Sequence, residues 1–97
     1  MNRTTEIRQK LHAYMPVLLS SYKVKEIGIF GSYVRGEQQQ SSDVDILVDF
    51  IEAPSLLEFV HLENELSDLL GIKVDLVMKS ALKPRIGKQI LSEVVPV

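Results

Sequence analysis

The chain contains no cysteine among its 97 residues. This absence excludes a disulfide framework, a thiolate nucleophile and any zinc or iron–sulfur site built on cysteine ligands. The chain also lacks a run near the ~18 apolar residues that a membrane-spanning helix needs. Its first residues, MNRTTEIRQKLHAY, contain no apolar segment of the kind found in secretory signals. Together these absences predict a cytoplasmic protein that does not associate with membranes.

The sequence has no excess of basic residues. Eleven Lys and Arg residues against thirteen Asp and Glu residues give a net charge of −2, whereas a general nucleic-acid binder carries a clear basic excess. Apolar residues make up 45% and charged residues 25% of the chain, which is ordinary globular composition. We therefore expect a single domain over residues 1–97 that does not bind nucleic acid directly.

The charges are unevenly distributed along the chain. Residues 1–42 carry six basic and three acidic groups, residues 43–78 carry one basic and nine acidic groups, and residues 79–97 carry four basic groups and one acidic group. The acidic middle segment is suited to binding cations and to contact with a basic protein surface.

The spacing of apolar residues predicts alternating helices and strands. A helical face predicts a first helix over about residues 4–21, with Thr4 or Thr5 as N-cap, and Pro16 predicts a kink or a division into two shorter helices. Ser55 and Glu58 form a capping box at the start of the second main helix, and Gly71 is placed to end it. The remaining predicted elements are strands at 26–30, 44–50 and 72–78, a helix at 84–93 and a short edge strand at 94–97. This order predicts an α/β fold with a mixed sheet of three to four strands flanked by helices.

Three aspartates lie in predicted strands or at their ends. Asp43 and Asp45 are two residues apart, so they share one face of a strand at a separation of about 7 Å. Two carboxylates so placed repel each other unless a cation lies between them. Asp75 is a lone carboxylate in the apolar third strand, and it completes a triad if the second and third strands are neighbours. Such a triad suits two divalent metal ions about 3.5–4 Å apart, an arrangement used in phosphoryl transfer.

A glycine and a serine follow the first predicted strand. Gly31 permits a tight turn and a close backbone approach to a ligand, and Ser32 adds a hydroxyl donor. If residues 32–36 begin a short helix, its free N–H groups face the aspartates and suit the phosphates of a nucleotide. Arg35 follows one turn later, within reach of a phosphate.

The stretch IFGSYVRGEQQQSSDVDILVDF resembles the minimal nucleotidyltransferase (MNT) family of the DNA polymerase beta-like nucleotidyltransferase superfamily. The resemblance covers nearly the whole chain and implies the small nucleotidyltransferase fold. It implies that Asp43 and Asp45 bind two Mg²⁺ ions, and that Asp75 binds the catalytic ion and helps to deprotonate the acceptor hydroxyl. Gly31 and Ser32 would hold the triphosphate of ATP.

The same resemblance implies a partner. MNT proteins are commonly encoded beside a HEPN-domain ribonuclease, as the antitoxin of a toxin–antitoxin pair, and transfer AMP from ATP to a tyrosine of that toxin. Two alternatives remain open at this point. One is an antitoxin that neutralises its partner by binding alone, and the other is a nucleotidyltransferase acting on a small molecule or RNA. The absence of an additional acceptor-binding domain counts against the latter.

Apolar residues near the start of the second main helix exceed what one helix face can bury. They are Leu56, Leu57, Phe59, Val60 and Leu62. Part of this cluster is therefore expected to contact a partner or a second copy of the chain, which predicts a hetero- or homo-oligomer.

Overall fold

Four helices, four strands and one 3₁₀ turn make up the described part of the chain. The computed structural model describes residues 3–97. In chain order the elements are α1 (Arg3–Tyr22), β1 (Val24–Phe30), α2 (Ser32–Arg35), β2 (Val44–Phe50), α3 (Leu56–Leu70), β3 (Val74–Met78), a 3₁₀ turn (Lys79–Ala81), α4 (Pro84–Glu93) and β4 (Val95–Pro96). None of the helices within residues 3–97 is long and apolar enough to cross a membrane.

The four strands form one mixed sheet in the order β3-β2-β1-β4. β1 pairs antiparallel with both β2 and β4, whereas β2 and β3 run parallel. The parallel register places Asp45 opposite Asp75, and the antiparallel register places Phe30 opposite Asp45. The predicted fold class, a mixed sheet of three to four strands flanked by helices, is confirmed, and the second and third strands are neighbours.

One face of the sheet carries the hydrophobic core. In β2 the side chains of Val44, Ile46 and Val48 are fully buried on this face, because alternate residues of a strand point to the same side. They pack with apolar side chains of α1 and α3, among them Ile7, Leu11, Leu18, Leu62, Leu66 and Leu70. The intervening residues Asp45, Leu47 and Asp49 point to the other face, where α4 lies.

Two features of the helices differ from the sequence prediction. α1 is a single helix from Arg3 to Tyr22 that contains Pro16, so the predicted division into two helices is wrong. Pro16 and His12 are both exposed, and water can therefore hydrate the His12 carbonyl that loses its hydrogen bond at the proline. Thr4 and Thr5 are helical residues rather than caps, and the Thr4 hydroxyl donates to the Tyr33 carbonyl at 2.8 Å.

The ends of α3 agree with the prediction. Ser55 Oγ accepts from the Glu58 backbone N–H at 3.1 Å, and the Glu58 carboxylate accepts from the Ser55 N–H at 3.4 Å, which completes the capping box. Gly71 ends the helix with φ of 67°, a conformation that glycine adopts without the strain of a Cβ atom.

The outer edge of β3 is covered by side chains of α3. β3 is an edge strand, so the backbone N–H groups on its free side have no neighbouring strand to bind. Glu63 accepts from the Leu76 N–H at 2.9 Å, and the Ser67 hydroxyl accepts from the Val74 N–H at 2.9 Å. These contacts explain why a charged residue interrupts the apolar pattern of α3, and they block this edge from pairing with another strand.

We expect Glu63→Ala to lower the free energy of unfolding by about 1–2 kcal/mol, because the buried Leu76 N–H would lose its acceptor. Urea denaturation followed by circular dichroism measures the change. Asp68→Ala, which removes an exposed carboxylate from the same helix, serves as the matched control and should change stability by less than about 0.5 kcal/mol. Equal effects of the two substitutions would contradict a specific role for Glu63 at the strand edge.

Candidate active site

The turn after β1 brings the Gly31 backbone close to the Asp45 carboxylate. Gly31 has φ of 81° and ψ of −152°, and its carbonyl accepts from the N–H groups of Val34 and Arg35 as α2 begins. A Cβ atom on Gly31 would overlap the Asp45 carboxylate. The predicted tight turn at Gly31 is present, and only glycine allows it to lie directly against Asp45. Ser32 is the half-buried first residue of α2.

Asp45 and Asp75 form a pair of neighbouring carboxylates on adjacent parallel strands. Asp45 is half-buried, whereas Asp75 is exposed. Burial is the largest of the effects that together raise the pKa of Asp45 to about 6; the negative charge of Asp75, a hydrogen bond between the two carboxyl groups and the charge of Asp43 act in the same direction, and the charge of Arg35 opposes them. Two carboxylates held together in this way favour a shared proton or a bound cation.

Asp43 lies near this pair but faces a different neighbour. It directly precedes β2, and its Oδ2 atom is 4.0 Å from Nζ of Lys73. Its charge nevertheless contributes to the raised pKa of Asp45. Within residues 3–97 no group of three or more Asp, Glu, His or Cys side chains is arranged to hold a metal ion. The structure thus brings together Asp45 and Asp75, with Asp43 beside them rather than in the same cluster.

The carboxylate pair opens into a cavity of about 550 Å³ between the sheet and α4. This volume lies in the range of small-molecule sites. Its polar lining consists of Gly31, Arg35, Asp45, Asp75, Lys83, Gln89 and Glu93. Neither Ser32 nor Asp43 belongs to this lining; Asp43 lines a separate cavity with Lys73 and the loop that precedes β2. Another cavity of about 440 Å³ lies farther along the same sheet face, beside Asp49, and contains neither Asp45 nor Asp75.

Arg35 is held by two carboxylates. Its Nη1 atom donates to both oxygens of Glu93 at 3.1 and 3.2 Å, and its Nε atom donates to Glu37 at 3.4 Å. The hydrogen bonds that Arg35 donates to Glu93 and Glu37 raise its pKa. Arg35 therefore lines the cavity, while its guanidinium is paired with acidic side chains of the same chain.

Glu93 is the residue of this cavity that sequence reasoning missed. Besides binding Arg35, its Oε1 atom accepts from the Gly31 N–H at 3.0 Å. The contact spans 62 positions of the chain, so no local motif reveals it. One signal was available: Glu93 is the last residue of α4, where a negative charge is unfavourable because the helix C-terminus is itself negative. An acidic residue in that position indicates a partner elsewhere in the fold.

Comparisons with known proteins agree with this geometry. A family model described as the nucleotidyltransferase domain matches residues 14–97. The protein adenylyltransferase MntA of Thermococcus cleftensis is 59% identical over 90 residues, which are 93% of this chain and 91% of that protein. A solved structure described as a candidate minimal nucleotidyltransferase has a TM-score of 0.80 at 35% identity and covers 100% of this chain and 97% of its own.

A crystal structure of a toxin–antitoxin with AMP-PNP is also similar. Its TM-score is 0.71 at 26% identity, and the match covers 99% of this chain and 72% of that one. The sequence motif, the topology and these matches agree, and the chain belongs to the nucleotidyltransferase domain family and, within it, to the minimal nucleotidyltransferases.

Proposed function

We propose that this chain transfers AMP from ATP to a tyrosine hydroxyl of a partner HEPN-domain ribonuclease and so acts as its antitoxin. The observation that carries the proposal is the carboxylate pair Asp45 and Asp75, which lies beneath the backbone turn at Gly31. The Thermococcus relative, named a protein adenylyltransferase, and the similar toxin–antitoxin structure with AMP-PNP support the substrate and the context.

The donor set fits a divalent cation such as Mg²⁺. Mg²⁺ takes oxygen ligands and commonly uses one or two carboxylates together with substrate phosphates. Asp45 and Asp75 supply such carboxylates, and burial together with the charges of Asp75 and Asp43 raises the pKa of Asp45, so a bound cation would offset a cost that the chain bears. We propose Asp43 as the third metal-binding carboxylate, and the family resemblance implies two ions. Bound Mg²⁺ would neutralise the carboxylates and polarise the phosphate oxygens.

The residues in and beside the cavity then have distinct roles. Gly31 and Ser32 would bind the triphosphate, and Arg35 would compensate its charge. The tyrosine oxygen forms a bond to the α-phosphorus of ATP, and the bond from that phosphorus to the bridging oxygen breaks, so that pyrophosphate leaves with the electron pair. The tyrosine proton passes to a carboxylate, for which we propose Asp75, because it is exposed to the cavity.

We propose that a partner protein supplies the acceptor hydroxyl. The chain has an apolar surface suited to protein contact: Ile51, Leu56 and Leu57 are 68%, 80% and 81% exposed. Glu52 and Glu58 lie beside these residues in the chain. An exposed apolar surface of this kind is suited to contact with a partner protein. We expect the two proteins to elute together in size-exclusion chromatography.

The central test combines the purified chain with the HEPN-domain protein of the neighbouring gene, Mg²⁺ and ATP labelled on the α-phosphate. We expect label on the partner, and mass spectrometry should locate AMP on a tyrosine. Absence of label from the partner would overturn the proposed activity. If the Asp45→Asn variant still neutralised the toxin in cells, the antitoxin would act by binding alone.

A further inference from the structure

The Glu93 carboxylate occupies the donors that the proposed function assigns to phosphate. One of its oxygens, Oε1, accepts from both the Gly31 backbone N–H and Arg35 Nη1. The other oxygen accepts from the same Arg35 nitrogen at 3.2 Å. An anionic oxygen that accepts from a backbone N–H and a guanidinium is chemically equivalent to a phosphate oxygen bound in the same place.

The fold holds Glu93 in this position. Its side chain is only 20% exposed, compared with 63% for Glu37, the other carboxylate that binds Arg35. Glu93 ends α4, and β4 follows directly and pairs with β1 beside Gly28 and Ile29. The N–H of Val97 also donates to the Ile27 carbonyl at 3.0 Å. The chain on the C-terminal side of Glu93 is thus fixed to the strand that leads into Gly31.

We propose that Glu93 competes with the nucleotide's phosphates for Gly31 and Arg35 and thereby sets the affinity of the site for ATP. The inference rests on the proposed function, because it needs a triphosphate at Gly31. When ATP binds, Arg35 and the Gly31 N–H exchange the Glu93 carboxylate for phosphate oxygens. Because one charge-assisted hydrogen bond replaces another of the same kind, the net gain from binding is reduced.

The charges of the cavity strengthen this competition. Three carboxylates, those of Asp45, Asp75 and Glu93, line it together with two cationic side chains, Arg35 and Lys83. A divalent cation offsets the charge of the aspartate pair, whereas Glu93 faces the entering phosphates and repels them. Removal of this single charge, with the shape of the side chain retained, should therefore favour the nucleotide.

The experiment measures binding of AMP-PNP with Mg²⁺ by isothermal titration calorimetry. For Glu93→Gln we expect a dissociation constant about fivefold lower than that of the native chain. The variant no longer repels the entering phosphates through the Glu93 carboxylate, and solvent partly screens that repulsion, so the effect is modest. The glutamine amide oxygen can still accept from the Gly31 N–H, so the turn keeps its acceptor. Circular dichroism and thermal unfolding verify that the variant folds.

Glu37→Gln is the matched control. It removes a carboxylate from the same guanidinium, but Glu37 has no contact with the Gly31 N–H among the hydrogen bonds of residues 3–97. We expect its dissociation constant to change by less than about twofold, because an exposed pair contributes little. If Glu37→Gln lowered the dissociation constant for AMP-PNP as much as Glu93→Gln does, the effect would come from net charge alone, and the inference would be overturned.

Other outcomes separate this inference from the proposed function. Weaker or unchanged binding by Glu93→Gln, with measurable binding by the native chain, overturns the competition and leaves the transferase proposal standing. Weaker binding in particular would identify Glu93 as a residue that positions Arg35 for phosphate. Absence of AMP-PNP binding by both the native chain and Glu93→Gln would overturn the nucleotide site itself. Glu93→Asp provides a second variant, since its shorter side chain keeps the charge but loses the reach to Gly31, and it should also bind AMP-PNP more tightly.

Discussion

Asp45→Asn is expected to lower the rate of AMP transfer by about a thousandfold or more. The substitution removes the charge of the carboxylate that lies both under Gly31 and beside Asp75. Asparagine retains the shape of the side chain but is a weak ligand for Mg²⁺, so the site loses much of its charge stabilisation of the transferring phosphate. Single-turnover transfer of labelled AMP to the HEPN partner measures the loss.

The same substitution should stabilise the metal-free chain. The pKa of Asp45 is raised from 3.8 to about 6 in the folded protein, so the folded state binds this proton more tightly than the unfolded state. The resulting stabilisation is present below about pH 4 and is lost as the pH rises through 6. At pH 8 the native chain therefore bears the full cost of the charge, which Asp45→Asn removes. Because Asp45 is only half-buried, we expect a gain of about 1 kcal/mol.

Urea denaturation in EDTA at pH 8 and pH 4.5 tests this gain. The difference between Asp45→Asn and the native chain should be largest at pH 8 and should shrink at the lower pH. Asp49→Asn is the matched control, because Asp49 lies on the same face of β2 but four residues away. If Asp45→Asn were less stable than the native chain at pH 8, the two carboxylates would not destabilise the fold by repulsion and burial.

In the single-turnover assay, transfer activity retained by Asp45→Asn would remove Asp45 from the mechanism.

The sequence predicted the parts of this site that depend on local pattern. Strand periodicity placed Asp45 on one face of β2, and the glycine that follows β1 indicated the turn at Gly31. Both positions hold in the structure because strand alternation and positive φ are properties of short segments. Placing Asp75 beside Asp45 required one further assumption, that the second and third strands are neighbours. The pairing of β2 with β3 confirms it.

The contacts that the sequence did not reveal all join distant segments. Glu63 had no assigned role until the structure placed its helix against the outer edge of β3. Glu93 acquires its role from contacts to residues 58 and 62 positions earlier. Pro16 shows the opposite case, since a strong local rule predicted a kink or a division into two helices, whereas α1 continues through Pro16 as one helix at an exposed position. A single charged residue on a helix adds nothing to the spacing pattern from which elements are predicted, so only the tertiary structure shows what it binds.

Gly31→Ala is expected to abolish AMP transfer and to lower the free energy of unfolding by about 2–4 kcal/mol. Two separate costs contribute. The backbone at φ of 81° and ψ of −152° belongs to a region that is essentially restricted to glycine. The added Cβ atom would also overlap the Asp45 carboxylate and force either the turn or the aspartate to move. Either movement separates the Gly31 N–H from the carboxylate pair, so activity is lost even in molecules that fold.

Gly36→Ala is the control for the cost of a positive φ without a steric overlap. Gly36 also has a positive φ, of 72°, but no atom lies within 4 Å of the place where its Cβ would be. The control should therefore show only the cost of the left-handed conformation, about 1 kcal/mol, and should retain transfer activity. Thermal unfolding and the labelled-AMP assay on both variants provide the comparison. Equal losses of stability and activity in the two variants would mean that backbone strain alone matters at Gly31. A larger loss of stability in Gly31→Ala reflects its glycine-restricted backbone together with the overlap with Asp45, whereas loss of transfer activity in Gly31→Ala alone would show that the site needs the close approach of this turn to Asp45.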